Sequence, residues 1–161
     1  MTRPTSDRVR ESVFALLGDI EGARVLDLFA GAGGLGIEAI SRGAARAVFV
    51  DRDAGALRAL KANLATLQIA SNVAEVRGAD ALAALRSARA RQETYDLLFI
   101  DPPYGQAHHW GPELSTVLPQ LLEPAARIVV ESDRRAPLEL QLPVELERRY
   151  GDTVITIHRH P

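Results

Sequence analysis

The sequence predicts one mostly parallel, doubly wound α/β sheet of seven strands, helices on both faces, closed by an antiparallel hairpin. Three observations carry this expectation. Short β-rich runs alternate with longer helical ones along most of the chain, the pattern of successive strand–helix–strand units. A glycine-rich turn follows the first strand directly, in Gly31-Ala32-Gly33-Gly34-Leu35-Gly36. The tail then changes character, with two β-rich runs joined only by Gly151-Asp152.

The elements follow in order. Ser6-Asp7 can cap a helix over 8–17, where Val9, Val13, Leu16 and Leu17 share a face. The first strand spans 24–29, and a helix runs from the glycine turn to about Ser41. A second strand covers 47–50, an Ala- and Leu-rich helix 54–67, a third strand 73–76 and a helix 81–91. Leu97-Leu98-Phe99-Ile100 is the fourth strand, a continuous apolar run suited to burial on both faces. A helix over 113–122 leads to a fifth strand at 126–131, and the hairpin pairs 146–150 with 153–158.

With 161 residues, the chain fits a single domain, 1–161, in which 1–20 form the N-terminal helix and a substrate-side segment. At 47% hydrophobic and 25% charged residues the composition is that of an ordinary globular protein. No apolar run approaches the ~20 residues that span a bilayer, and the first residues lack the apolar core of a signal peptide. The chain has no cysteine, which excludes disulfides, thiolate nucleophiles and cysteine-ligated metals. A cytoplasmic protein is expected. The net charge of −2 excludes a general polycation, yet Arg3, Arg8 and Arg10 crowd the N-terminus, where they can touch RNA phosphates.

Chemistry concentrates at the predicted strand ends. The glycine turn is a literal G-x-G-x-x-G, and Asp51 ends the second strand twenty residues after Gly31. Such glycines let backbone approach a ligand, and the acid takes ribose hydroxyls. The ligand's charge decides its identity. A pyrophosphate wants amide donors and no anion beside it, but Asp27 stands just before the turn in Asp27-Leu28-Phe29-Ala30-Gly31. A carboxylate there suits an ammonium and a sulfonium, and S-adenosylmethionine carries both and no phosphate. In Gly78-Ala79-Asp80-Ala81 the acid can accept the adenine amino group or merely cap a helix. Arg52 can lie along the adenine face.

The fourth strand ends in Asp101-Pro102-Pro103-Tyr104. In open α/β sheets ligands sit outside the carboxyl ends of the strands. A carboxylate and a backbone carbonyl there could accept both N–H groups of an exocyclic amine and turn its lone pair toward a methyl group. Prolines fix φ and add no competing donor, and Tyr104 offers a stacking face for an extruded base. His108, His109 and Trp110 beyond it read as a mobile surface loop, with the base entrance as the other reading. They lack a carboxylate at metal-ligand spacing, so no metal is expected. His158 and His160 alternate on the last strand and share a side.

Taken together, these pieces resemble the bacterial 16S ribosomal RNA guanine-N2 methyltransferases of the RsmD type. The resemblance rests on Arg3-Pro4-Thr5-Ser6-Asp7-Arg8-Val9-Arg10-Glu11, on 25–39 around the glycine turn, on Ser41-Arg42-Gly43-Ala44-Ala45, on Asp101-Pro102-Pro103-Tyr104 and on Tyr150-Gly151-Asp152-Thr153. It implies a Rossmann-like class I S-adenosylmethionine-dependent methyltransferase. Asp27, Gly31 and Gly33 would hold the methionine end of the donor, Asp51 its ribose, and Asp80 with Ala81 its adenine; Phe29, Ala30 and Arg52 are expected in the same cofactor site. Asp101, Pro102, Pro103 and Tyr104 would receive the guanine, and S-adenosylhomocysteine would be the product. The implied partner is 16S rRNA in an assembled or assembling small subunit, met by a monomer. Members usually carry a further Gly- and Arg-rich stretch before R-P-T, which this sequence does not show. Alternatives stay open: adenine-N6 methylation of DNA or RNA, a non-catalytic module in ribosome assembly, or an NAD-dependent dehydrogenase.

Overall fold

The computed structural model describes residues 6–103 and 107–161, for 107–109 the backbone alone. Helix α1 (Asp7–Leu17) precedes β1 (Arg24–Asp27), α2 (Gly34–Ser41), β2 (Arg46–Asp51), α3 (Ala54–Thr66), β3 (Ala74–Gly78), α4 (Ala81–Ala90) and β4 (Tyr95–Ile100). Then come α5 (Ala107–Val117), a 3₁₀ turn (Leu118–Leu121), β5 (Leu122–Asp133), β6 (Val144–Tyr150) and β7 (Thr153–Arg159). The seven strands form one sheet in the order β3-β2-β1-β4-β5-β7-β6. Strands β1 to β5 are parallel, and β7 pairs antiparallel with both β5 and β6. The expected mixed sheet with its terminal hairpin is what forms.

The chain winds outward from β1 to β3 on one side and returns through β4 to β5 on the other. The order therefore reverses between β1 and β4, where a crevice opens at the carboxyl ends. Register sets those ends level. Asp27 lies beside Phe49 of β2 and Phe99 of β4, and Asp51 lies beside Gly78. Asp27, Asp51 and Asp101 are thus delivered to one edge by strand pairing.

Strand alternation sorts the core into two faces. Leu26, Leu28, Val48, Val50, Leu98 and Ile100 join a cluster with α4, α5 and the 3₁₀ turn, including Leu85, Leu114 and Leu118. Val25, Phe49, Leu97 and Phe99 join the cluster with α1, α2 and α3, including Phe14 and Leu60. Leu97, Leu98, Phe99 and Ile100 are all essentially inaccessible, which explains their unbroken apolar run. On the α1 side Phe14 packs against Phe99, with ring centroids 5.7 Å apart, and the Arg42 guanidinium covers Phe14 at 5.0 Å.

Three expectations are corrected. The helix placed at 113–122 begins at Ala107, so Trp110 sits within helix α5 and not in a surface loop. Gly111 and Pro112 lie inside that helix; Gly111 meets the Glu139 backbone so closely that a Cβ would collide with its carbonyl oxygen. At the other end Pro119 stops α-geometry, because it lacks an N–H and disfavours an α conformation before it. The residues up to Leu121 become the 3₁₀ turn, and β5 starts at Leu122. The first strand also ends at Asp27, two residues short of the expected end, although Leu28 N–H still donates to the Phe99 carbonyl at 3.0 Å. His158 is buried, and its Nδ1 lies 3.1 Å from the Leu142 carbonyl. Among the described residues no helix is long and apolar enough to cross a membrane.

Candidate active site

The glycine turn is built by backbone needs. Gly31 and Gly33 have φ of 56° and 94°, the left-handed region that glycine enters without penalty. Gly36, in the first turn of α2, faces the Phe49 ring, and a Cβ there would overlap it. The third glycine therefore lets α2 settle on β2.

Asp27 closes the bottom of this turn. It is only 3% exposed, and its Oδ2 accepts the Gly36 N–H at 3.0 Å. Burial pushes its carboxyl up to about 7; the Gly36 hydrogen bond opposes the rise, and the nearby Asp51 charge adds to it. A buried carboxylate without a cation is costly, so this one is a ready counter-ion for a positively charged ligand.

Asp51 is tied to the same turn. Its Oδ2 accepts the Gly31 N–H at 2.8 Å and its Oδ1 the Asp53 N–H at 2.9 Å. Each oxygen keeps a second lone pair for ribose hydroxyls. Asp80 caps α4, accepting the Ala83 N–H at 3.4 Å, and also faces the ligand space. The N-cap reading of this residue holds, and its place on the cavity wall leaves it in position to meet a ligand. Asp53 does the same for α3, with a 2.7 Å bond from Ala56 N–H. Asp53 escaped the sequence reading, though an Asp before Ala-Gly-Ala-Leu is an N-cap signal.

These acids surround a cavity of about 400 Å³. Its polar wall is Asp51, Arg52, Asp53 and Asp80; its apolar wall is Leu28, Phe29, Ala56, Ala79, Ala81, Pro103 and Trp110. Of the predicted residues, it thus brings together Phe29, Asp51, Arg52, Asp80, Ala81 and Pro103. Asp27, Ala30, Gly31 and Gly33 do not line it; they form the adjoining turn and strand end, where Ala30 N–H is bonded to the Val50 carbonyl at 2.9 Å. Pro102 is buried and Asp101 half-buried beyond β4. Tyr104 and Arg3 lie outside the described residues. Arg8 is exposed. Arg10 bonds Asp7 at 2.6 Å, reaches Glu38 at 3.7 Å and lies over Gly34 in the first turn of α2.

The donor set fits an adenosyl ligand that is cationic and free of phosphate. Three carboxylates and a single guanidinium line the cavity, and a fourth carboxylate is buried beside the turn. A diphosphate would meet those four anions with only the Arg52 guanidinium, among the described residues lining the cavity, to offset them. The ammonium and sulfonium of S-adenosylmethionine would complement them. Trp110 completes the wall from α5, in a T-shaped pair with Phe29 whose centroids are 5.1 Å apart and planes at 73°.

Known proteins agree with this architecture. Residues 1–159 match the family described as Conserved hypothetical protein 95. A Bacillus subtilis relative named "Putative rRNA methyltransferase YlbH" is 44% identical over 158 residues, covering 96% of this chain and 80% of the relative. The Haemophilus influenzae "Ribosomal RNA small subunit methyltransferase D" is 37% identical over 139 residues, 84% of this chain and 70% of that protein. The crystal structure of an RNA methyltransferase from Salinibacter ruber in complex with S-adenosyl-L-homocysteine superposes with a TM-score of 0.75 over 99% of this chain and 94% of that one. At 18% identity that likeness shows the fold, which is the methyltransferase fold. The chain belongs to the RsmD-type methyltransferase family, the family described as Conserved hypothetical protein 95.

Proposed function

We propose that the protein transfers a methyl group from S-adenosylmethionine to the exocyclic 2-amino group of a guanine in small-subunit (16S) ribosomal RNA. The observation that carries this reading is the continuity of two sites. Pro103 of the Asp101-Pro102-Pro103 turn lines the same cavity as Asp51 and Asp80, so target turn and adenosyl pocket share a wall. The names borne by relatives across the family support RNA as the substrate class.

Asp27 and the Gly31–Gly33 turn hold the methionine end of the donor, Asp51 the ribose, and Arg52, Asp80 and Ala81 the adenine. Bound S-adenosylmethionine supplies an electrophilic methyl group on a sulfonium. The chain's own contribution is positioning. Asp101 and a backbone carbonyl of the turn accept the two N–H groups of the guanine amine, and Tyr104 stacks on the base. Accepting those hydrogens holds the nitrogen lone pair out of the ring plane, where it can attack. Pro102, buried, and Pro103 stiffen the backbone that carries Asp101. Arg3, Arg8 and Arg10 guide rRNA phosphates. The protein works as a monomer in the cytoplasm, on small subunits assembled or assembling.

Replacing Asp101 by Ala tests the assignment. Methylation of small-subunit RNA is lost while S-adenosylhomocysteine still binds with unchanged affinity. Methylation that survives the change removes Asp101 from the proposed role. Nucleoside mass spectrometry of the product reads the base, and N6-methyladenosine in place of N2-methylguanosine would move the activity to adenine.

A further inference from the structure

The apolar wall of the cavity contains a residue to which neither the family motifs nor the acid cluster gives a task. Trp110 is half-buried, lines the cavity, and packs in a T-shaped pair with Phe29. It is the only tryptophan of the chain. Leu114 and Leu118, further along the chain from it, are fully buried. The ring instead borders the ligand space beside Pro103, Ala79 and Ala81. The cavity is the adenosine half of the site: Asp51, Arg52 and Asp80 line it, whereas Asp27, Gly31 and Gly33 do not. What a large indole can offer such a space is a π-face for a purine.

We infer that Trp110 is a binding residue for the purine of the methyl donor, closing the adenosine half of the pocket from helix α5. This inference rests on the methyltransferase reading of the site. The location makes three demands. Removing the ring weakens every ligand that carries adenosine, whatever its sulfur end. Another aromatic ring restores the contact. Filling the pocket changes the surroundings of the indole.

The experiment uses the full chain with S-adenosylhomocysteine and adenosine as probes. Emission of the single tryptophan is followed during titration of the wild type, and calorimetry gives affinities for W110A and W110F. The inference expects a saturable change in emission. It also expects W110A to weaken S-adenosylhomocysteine and adenosine by the same factor, roughly ten- to hundredfold from the usual value of a base–aromatic stack. W110F should stay within about threefold of wild type, because a smaller ring keeps most of the contact. In enzymatic assay W110A raises KM for the donor and leaves kcat at saturating donor near wild type. The inference is overturned if the wild type binds S-adenosylhomocysteine with unchanged emission. It is equally overturned if W110A binds both probes like wild type, or loses S-adenosylhomocysteine alone. Any of these results leaves the methyltransferase reading standing. A wild type that binds neither probe ends both. The emission arm is read on the wild type, so a W110A that fails to fold does not remove the test.

Discussion

Replacing Asp27 by Asn should make the free protein more stable and the enzyme useless. Asp27 is 3% exposed, and burial lifts its carboxyl from 3.8 to about 7. The native state therefore binds this proton more tightly than the unfolded chain does. By linkage, stability falls as pH rises from the unfolded value toward about 7 and levels off above it. At pH 8 the charged, buried carboxylate costs about 4 kcal/mol relative to an ordinary carboxyl, and at pH 5 only about 2 kcal/mol. Asparagine carries no charge and keeps an oxygen for the Gly36 N–H. The advantage of D27N over wild type should thus grow by about 2–3 kcal/mol between pH 5 and pH 8. For a chain of this size that is about 5–10 °C in Tm. Thermal unfolding of both proteins, without ligand, at the two pH values measures it. Calorimetry with S-adenosylhomocysteine should show binding lost in the variant at both. A D27N protein less stable than wild type at pH 8, or one whose advantage does not change with pH, would refute the reasoning.

Further expectations follow from other contacts. Wild-type affinity for S-adenosylhomocysteine, whose ammonium needs an ionised Asp27, should fall roughly tenfold between pH 8 and pH 6; calorimetry that finds no pH dependence contradicts the counter-ion role. Gly36→Ala pushes a methyl group into the buried Phe49 ring, and overpacking of this kind costs about 1–3 kcal/mol in urea unfolding. Burial holds the His158 imidazole below its ordinary value of 6.5, against the opposing pull of the Leu142 and Pro143 carbonyls and Glu147. Its stabilisation is present above pH 6.5 and is lost as the unfolded chain takes up a proton below it. The stability gap between wild type and H158L should therefore narrow as pH falls from 7.5 to 5, read from urea midpoints.

What the sequence made legible was local. The glycine turn, Asp27 and Asp51 announce themselves because a strand, a tight turn and a helix place them within one short unit. Register then does the rest, bringing Asp27 level with Phe99 and so near the Asp101 turn. The apolar run at 97–100 likewise reads as a doubly covered strand, and it is one. The start of helix α5 is not legible. Gly111 and Pro112 punctuate local structure, yet here Gly111 provides room for the Glu139 backbone, a partner far along the chain. The local pattern therefore reads Trp110 as loop, although it is helix α5 that brings it to Phe29. Asp80 poses a choice between cap and ligand that spacing does not decide; the structure shows the cap and places the residue on the cavity wall.

The central claim is that the shared wall of Pro103 joins a methyl-donor pocket to a turn that receives guanine. Its most direct test is transfer of labelled methyl from S-adenosylmethionine to small ribosomal subunits lacking the modification, followed by mass spectrometry of the nucleosides. The account predicts label in N2-methylguanosine from small-subunit RNA, absent with D101A. Label in another nucleoside, or none with a protein that binds the donor, would contradict it.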